Sequence, residues 1–219
     1  MTDQQLYDRF CAFITENKRS LFEKLAPLRT RHVTVVLEDI YQSQNASAVV
    51  RTADLVGVQH IHVIEDRNKY QLDRGVTLGS SKWVDLHRYT STMQCVASLR
   101  EKGYRIVATS PRAKGITPGS IDLSTPIAFC FGTELTGLSD ALMDAADEHM
   151  SIPMYGFTES FNISASAAIV LYTVMQRLRS ASVDAWLSEE EQLALKLQWV
   201  RKVVQDADRI EARIKAGGA

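Results

Sequence analysis

The chain has 219 residues, enough for one large domain or a domain with terminal additions, and enough to bury a core without disulfide or metal staples. Hydrophobic residues make up 45% and charged residues 23%, and the net charge of −1 argues against a general polyanion binder. No apolar run reaches transmembrane length, and the N-terminus MTDQQLYDRF has no basic start followed by an apolar stretch, so the expectation is a soluble, cytoplasmic protein without membrane contact.

Leu6, Phe10, Phe13, Ile14, Leu21 and Leu25 recur at roughly helical spacing ahead of Pro27, which predicts one or two N-terminal helices. HVTVVLEDI (32–40) is short and β-branched, the signature of a buried strand. YQSQNASAVVRTADLVGV then gives a polar loop and a helix closed by Gly57. HIHVIE (60–65) is the next strand, and WVDLHRY (83–89) alternates as another would. STMQCVASLREKGY is an amphipathic helix capped by Ser91 and stopped by Gly103. RIVATS (105–110) and PIAFCFG (126–132) are further strands, followed by a short helix capped by Ser139, a last strand in HMSIPM (149–154) and a last core helix from Ile163. Strands alternating with helices imply an α/β domain with a mostly parallel sheet. Residues 188–216 form a charged helix with apolar Leu193, Leu197, Val200, Val204 and Ile210, too polar to be core.

Cys11, Cys95 and Cys130 are far apart without CxxC spacing, so neither a disulfide framework nor a zinc site is suggested. The five histidines lie on or at the ends of strands, where structural roles are expected, and no metal is anticipated. No GxGxxG follows the first strand, and no GxxxxGK[ST], HExxH or GxSxG occurs, which weakens dinucleotide binding, phosphoryl transfer, zinc proteolysis and serine hydrolysis.

Ligands of an open parallel sheet bind beyond the carboxyl ends of the strands. Three polar loops follow strands directly: QNASAVVRTAD, GTELTGLS and GFTESFNIS. In the first, Asn45 reads as a helix cap, and Arg51 stands among small apolar neighbours where its guanidinium needs a partner. In the second, Glu134 sits between Gly132 and Gly137, in a loop that serves equally as a turn or as a carboxylate near closely approached backbone. The third crowds Ser160, Asn162 and Ser164 around Phe161 where a strand hands over to a helix.

Together these stretches carry a resemblance. NASAVVRTADLVGVQHIHVI, FCFGTELTGLS and SIPMYGFTESFNISASAAIVLY look like the three motifs of the SPOUT-superfamily 2′-O-ribose methyltransferases, the SpoU or TrmH branch, over about residues 32–180. The short length and flanking helices look like the branch members that methylate guanosine 18 of tRNA. The resemblance implies an N-terminal helical extension (1–31), a methyltransferase domain (32–180) whose C-terminal segment threads a trefoil knot, and a C-terminal extension (181–219). It implies S-adenosylmethionine as cofactor, held near Thr109, Gly132, Ile152 and Phe161, and a catalytic set of Arg51, Asn45, Glu134, Ser160 and Asn162. It further implies a homodimer and a tRNA substrate, gripped by Lys18, Arg19, Arg29 and Arg31 at one end and Arg201 and Lys202 at the other. Methylation of rRNA or of another tRNA position, and an inactive RNA-binding knot protein, are the alternatives.

Overall fold

The structure, a computed structural model, describes residues 1–216. In chain order the elements are α1 (Asp3–Cys11), α2 (Glu16–Leu25), β1 (Val33–Glu38), α3 (Ser43–Val56), β2 (His60–Ile64), α4 (Arg74–Thr77), β3 (Asp85–Tyr89), α5 (Thr92–Glu101), β4 (Arg105–Thr109), β5 (Ile127–Phe131), α6 (Asp140–Ala145), β6 (Glu148–Met150), α7 (Ile163–Ser180), α8 (Glu189–Val203) and α9 (Ala207–Lys215). They divide into two compact units, one spanning 31–185 and the other combining 1–30 with the chain from 186 onward.

The larger unit is built on a six-stranded sheet in the order β3-β2-β1-β5-β4-β6, with every neighbouring pair parallel. The β-branched run of β1 and the apolar run of β5 pair at the centre, Val35 opposite Phe129, and every residue of both strands is buried. Continuous apolar strands are what a parallel sheet covered on both faces requires. Chain order reverses between β1 and β5, so the loops beyond their carboxyl ends diverge and leave a crevice.

Helix boundaries follow the local chemistry. Gly57 stops α3 in the left-handed conformation (φ 92°), and the Ser91 and Ser139 side chains accept hydrogen bonds from backbone N–H groups in the first turns of α5 and α6. Only the first two residues of HMSIPM are strand: β6 ends at Met150, and 151–162 is irregular. Pro153 has no N–H to extend a ladder, which fits that early end. The chain then returns through α7, which packs against α3, while the Arg177 guanidinium holds the crossover by donating to the carbonyls of Pro118 (2.9 Å) and Ile121 (2.7 Å).

In the smaller unit α1 packs against α8, and capping boxes start both helices, Thr2 with Gln5 and Ser188 with Glu191. The segment expected to be too polar for a core contributes one. Leu195, Leu197, Trp199 and Val200 are buried, and Trp199 lies 5.5 Å from Phe22, ring to ring. The single helix read from its composition is two, broken where Asp206 takes a left-handed conformation (φ 53°).

Candidate active site

The three polar loops converge within the larger unit. Asn45 falls in the first turn of α3, not at its cap, because the helix begins at Ser43. Its amide donates to the Gln42 Oε1 (2.8 Å) and the Glu134 Oε1 (3.0 Å). The Asn162 amide donates to the same Glu134 oxygen and to the Asn45 Oδ1 (3.1 Å). One carboxylate thus ties the start of α3, the loop after β5 and the start of α7 into a triangle. Asn162 also caps α7, its Oδ1 accepting from the Ser164 N–H (2.8 Å) and hydroxyl (2.6 Å). The cap and the triangle use opposite ends of one amide, so Asn162 makes both sets of hydrogen bonds at once.

Glu134 also lines a cavity of about 340 Å³, within the size range of small-molecule sites. Its walls include Thr109, Gly132, Ile152, Ser160 and Phe161. The loop holding Glu134 folds tightly on itself: Thr133 and Gly137 exchange backbone hydrogen bonds of 3.0 Å, Gly137 has φ 73°, and a Cβ on Gly132 would stand 2.2 Å from the Gly137 backbone. Thr109 contributes backbone and methyl more than hydroxyl, since its Oγ1 donates to the Cys130 carbonyl at 2.6 Å. The mouth is flanked by Arg112 and Glu159, 3.6 Å apart and both highly exposed, a pair that adds little stability.

Two supports carried no signal in the sequence. Glu38, buried at the end of β1, accepts from the Thr92 hydroxyl (2.6 Å) and from the Ser139 N–H (2.7 Å) and hydroxyl (2.8 Å), fixing the far end of the Glu134 loop to the central strand. Gln42 orients the Asn45 amide. An acidic residue ending a strand is unremarkable by pattern; only tertiary contact makes Glu38 a fixed point.

Arg51 is not brought in. It is exposed on α3, absent from the cavity wall, and makes no hydrogen bond or ion pair with another described residue. Val49 and Val50 beside it face inward and the guanidinium reaches solvent, so the partner its apolar neighbours called for is not among the described residues.

The sequence model of the SpoU rRNA methylase family matches residues 32–172. The chain belongs to the SpoU methylase family. A tRNA (guanosine(18)-2'-O)-methyltransferase of Borreliella burgdorferi is 47% identical over 93% of this chain and 94% of its own length. The crystal structure of the A. aeolicus TrmH/SpoU tRNA modifying enzyme superposes with a TM-score of 0.77 at 28% identity, covering 87% of this chain and 98% of that one. The SpoU methyltransferase AviRb of Streptomyces viridochromogenes, crystallised with the cofactor AdoMet, superposes with a TM-score of 0.61 at 25% identity over 71% of this chain and 64% of that one.

Every residue of the triangle and the cavity wall falls inside the SpoU match, and none of Lys18, Arg19, Arg29, Arg31, Arg201 and Lys202 does. Among these bases the structure draws a division. Arg29 is only 4% exposed, its guanidinium 5.4 Å from the Trp199 ring, and is built into the smaller unit's core instead of its surface. Arg201 forms a two-pronged pair with Glu211 (2.7 and 3.0 Å). Arg19 and Lys202 are exposed. No helix of the described residues is long and apolar enough to cross a membrane.

Proposed function

We propose that this chain is an S-adenosylmethionine-dependent tRNA 2′-O-methyltransferase acting on the ribose of guanosine 18. The observation that carries the reading is the Asn45–Glu134–Asn162 triangle on the rim of a formed cavity, in a chain 47% identical to a curated enzyme of that name.

The cavity's chemistry fits the donor. Phe131, Ile152, Phe161 and Val170 offer apolar surface for a purine, and the Glu134 and Glu159 carboxylates offer negative charge toward a cationic sulfonium and amine. Thr109, Gly132, Ile152 and Phe161 would hold it, mostly through backbone and apolar contact. When bound, S-adenosylmethionine supplies an electrophilic methyl group. The chain's own residues must place a ribose hydroxyl in line and accommodate its proton. Asn45 and Asn162 keep the Glu134 carboxylate in one orientation, and Ser160 adds a hydroxyl on the same wall. A guanidinium stays protonated in proteins, so Arg51, exposed on α3, serves by holding RNA phosphate and not as a base, and the hydroxyl proton leaves to that phosphate or to water.

Two finer features belong to the same reading. The segment after β6 must travel from the sheet edge to reach α3, passing the loops that wall the cavity, which supports a knotted C-terminal segment. A homodimer is supported by exposed Leu135, Tyr155, Phe157 and Tyr172 around those loops and on α7. The place of action is the cytoplasm, where tRNA is found. The test is transfer of labelled methyl from S-adenosylmethionine to a tRNA transcript, mapped by nuclease digestion and mass spectrometry. Methylation of the ribose at guanosine 18, lost when that position is adenosine, is the expected result; label in rRNA alone, or at another tRNA nucleotide, would overturn it.

A further inference from the structure

His60, His62 and His87 occupy one face of the β2–β3 edge of the larger unit. His62 and His87 are register partners, His60 pairs with Asp85, and the period of two along each strand puts all four side chains on the same side. The His87 ring lies 4.8 Å from that of His60 and 4.7 Å from that of His62, and one ring nitrogen from each histidine falls within 4.8 Å of the other two.

The hydrogen bonding decides what these rings present. The Tyr89 hydroxyl donates to the Ser98 Oγ at 3.3 Å and lies 3.0 Å from the His62 Nδ1. With its proton on Nδ1, donated to that hydroxyl, His62 turns the lone pair of Nε2 into the cluster. His62 is fully buried, and its Nε2 has no partner; neither does the buried Nε2 of His87. Two orphaned ring nitrogens in one buried cluster call for an occupant, and a ligating histidine whose other nitrogen donates to a fixed acceptor is the usual arrangement behind a metal.

We propose that His60, His62 and His87 bind one divalent ion of the zinc class, with Asp85, whose Oδ2 lies 3.7 Å from the His60 Nε2, supplying a fourth oxygen. Imidazole nitrogens select borderline ions such as Zn²⁺ or Co²⁺ over Mg²⁺ or Ca²⁺. Tetrahedral zinc at about 2.0–2.1 Å from each nitrogen needs them roughly 3.4 Å apart, so the partly exposed His60 and His87 rings must turn inward by about an ångström. Arg31 and Lys102 also act on the cluster electrostatically and oppose a cation, while Asp85 favours one. The cluster includes the first residue of β2, at the end of the strands away from the cavity, so the ion would fasten edge strand β3 to the sheet and not take part in methyl transfer.

The test uses the full chain, stripped with a chelator and then titrated with Zn²⁺ by calorimetry and with Co²⁺ by imidazole NMR. One equivalent of Zn²⁺ is expected to bind and raise the Tm. Co²⁺ is expected to shift or broaden the ring signals of His60, His62 and His87 while leaving those of His32 and His149. His87→Gln is expected to weaken binding about a hundredfold. The NMR readout on the unaltered chain decides the matter even if that variant fails to fold. No saturable binding, as when a water bridges the two orphaned nitrogens, would overturn the proposal, as would broadening confined to His32 or His149, or a folded His87→Gln variant of undiminished affinity.

Discussion

Arg51 lies six positions beyond Asn45, and on one continuous α-helix that spacing separates their side chains by about 120°. Asn45 therefore faces the buried side with Ala46, Val49 and Val50, and Arg51 faces solvent. Both residues stand out in the sequence, but reading Asn45 as a cap and not as a first-turn residue hides that the two take different faces of one helix. The legible signal was chemical type and loop position; which face each residue takes depended on a helix start set without a side-chain cap. Arg51→Ala should leave the Tm unchanged within a degree or so, because the guanidinium makes no hydrogen bond or ion pair among the described residues, yet lower methyl transfer on the order of a thousandfold. Thermal melts and initial rates on the same preparations check both halves, and a rate within tenfold of the unaltered enzyme would remove Arg51 from the mechanism. Asn162 permits a finer separation. Serine can still cap α7 but has no amide to donate to Glu134 and Asn45. Asn162→Ser should keep most of the stability and cut the rate by roughly tenfold or more, whereas Asn162→Ala should also cost about 1 kcal/mol for the lost cap. Equal rates for Asn162→Ser and the unaltered enzyme would reduce the triangle to a structural device.

Among the elements, α8 departs furthest from its sequence. Three glutamates in its first turn, with Arg201 and Lys202 in its last, read as a solvated helix, but those charges sit at the ends, where they complement the helix dipole, while Trp199 and its apolar neighbours face inward. Mean polarity could not report this because burial is decided by one stripe. Truncation near residue 180 would therefore do more than remove a basic tail. It would uncover Leu6, Tyr7 and Phe10 of α1, so loss of tRNA affinity in such a variant would not by itself identify an RNA-binding helix. Single substitutions of exposed Arg19 and Lys202 test the RNA grip more cleanly. α9 is held to α8 through Glu211, whose carboxyl is pulled down to about 2, first by its hydrogen bond from Arg201 and then by that from Lys215. A depressed carboxyl pKa stabilises the fold fully above the ordinary value near 4.5 and progressively loses that contribution as pH falls toward 2. Glu211→Gln should lower the Tm at pH 7, with the difference from the unaltered chain shrinking below about pH 4; a pH-independent difference would assign the effect to packing.

At the scale of the whole molecule, the parallel α/β architecture was legible because β-branched runs alternate with amphipathic helices. The grouping of the first and last helices into one unit was not, because no local pattern records which distant helices share a core. Val170 and Leu171 of α7 are buried within the chain, so exposed apolar side chains near the cavity loops, Leu135, Tyr155 and Phe157, are the ones that support a dimer. Sedimentation at micromolar concentration should show a dimer that Phe157→Asp shifts toward monomer without lowering the Tm of the larger unit; a monomer for the unaltered chain would end the dimer proposal. The unit made from both ends of the chain also sets a schedule for biosynthesis. Helices α1 and α2 leave the ribosome first, and residues 31–185 must be translated before α8 can cover them. At elongation rates of about 5–20 residues per second that wait is on the order of ten seconds. Throughout it, Leu6, Tyr7, Phe10 and Phe22 remain bare on a nascent chain, open to chaperone capture and protease attack until the last helices arrive.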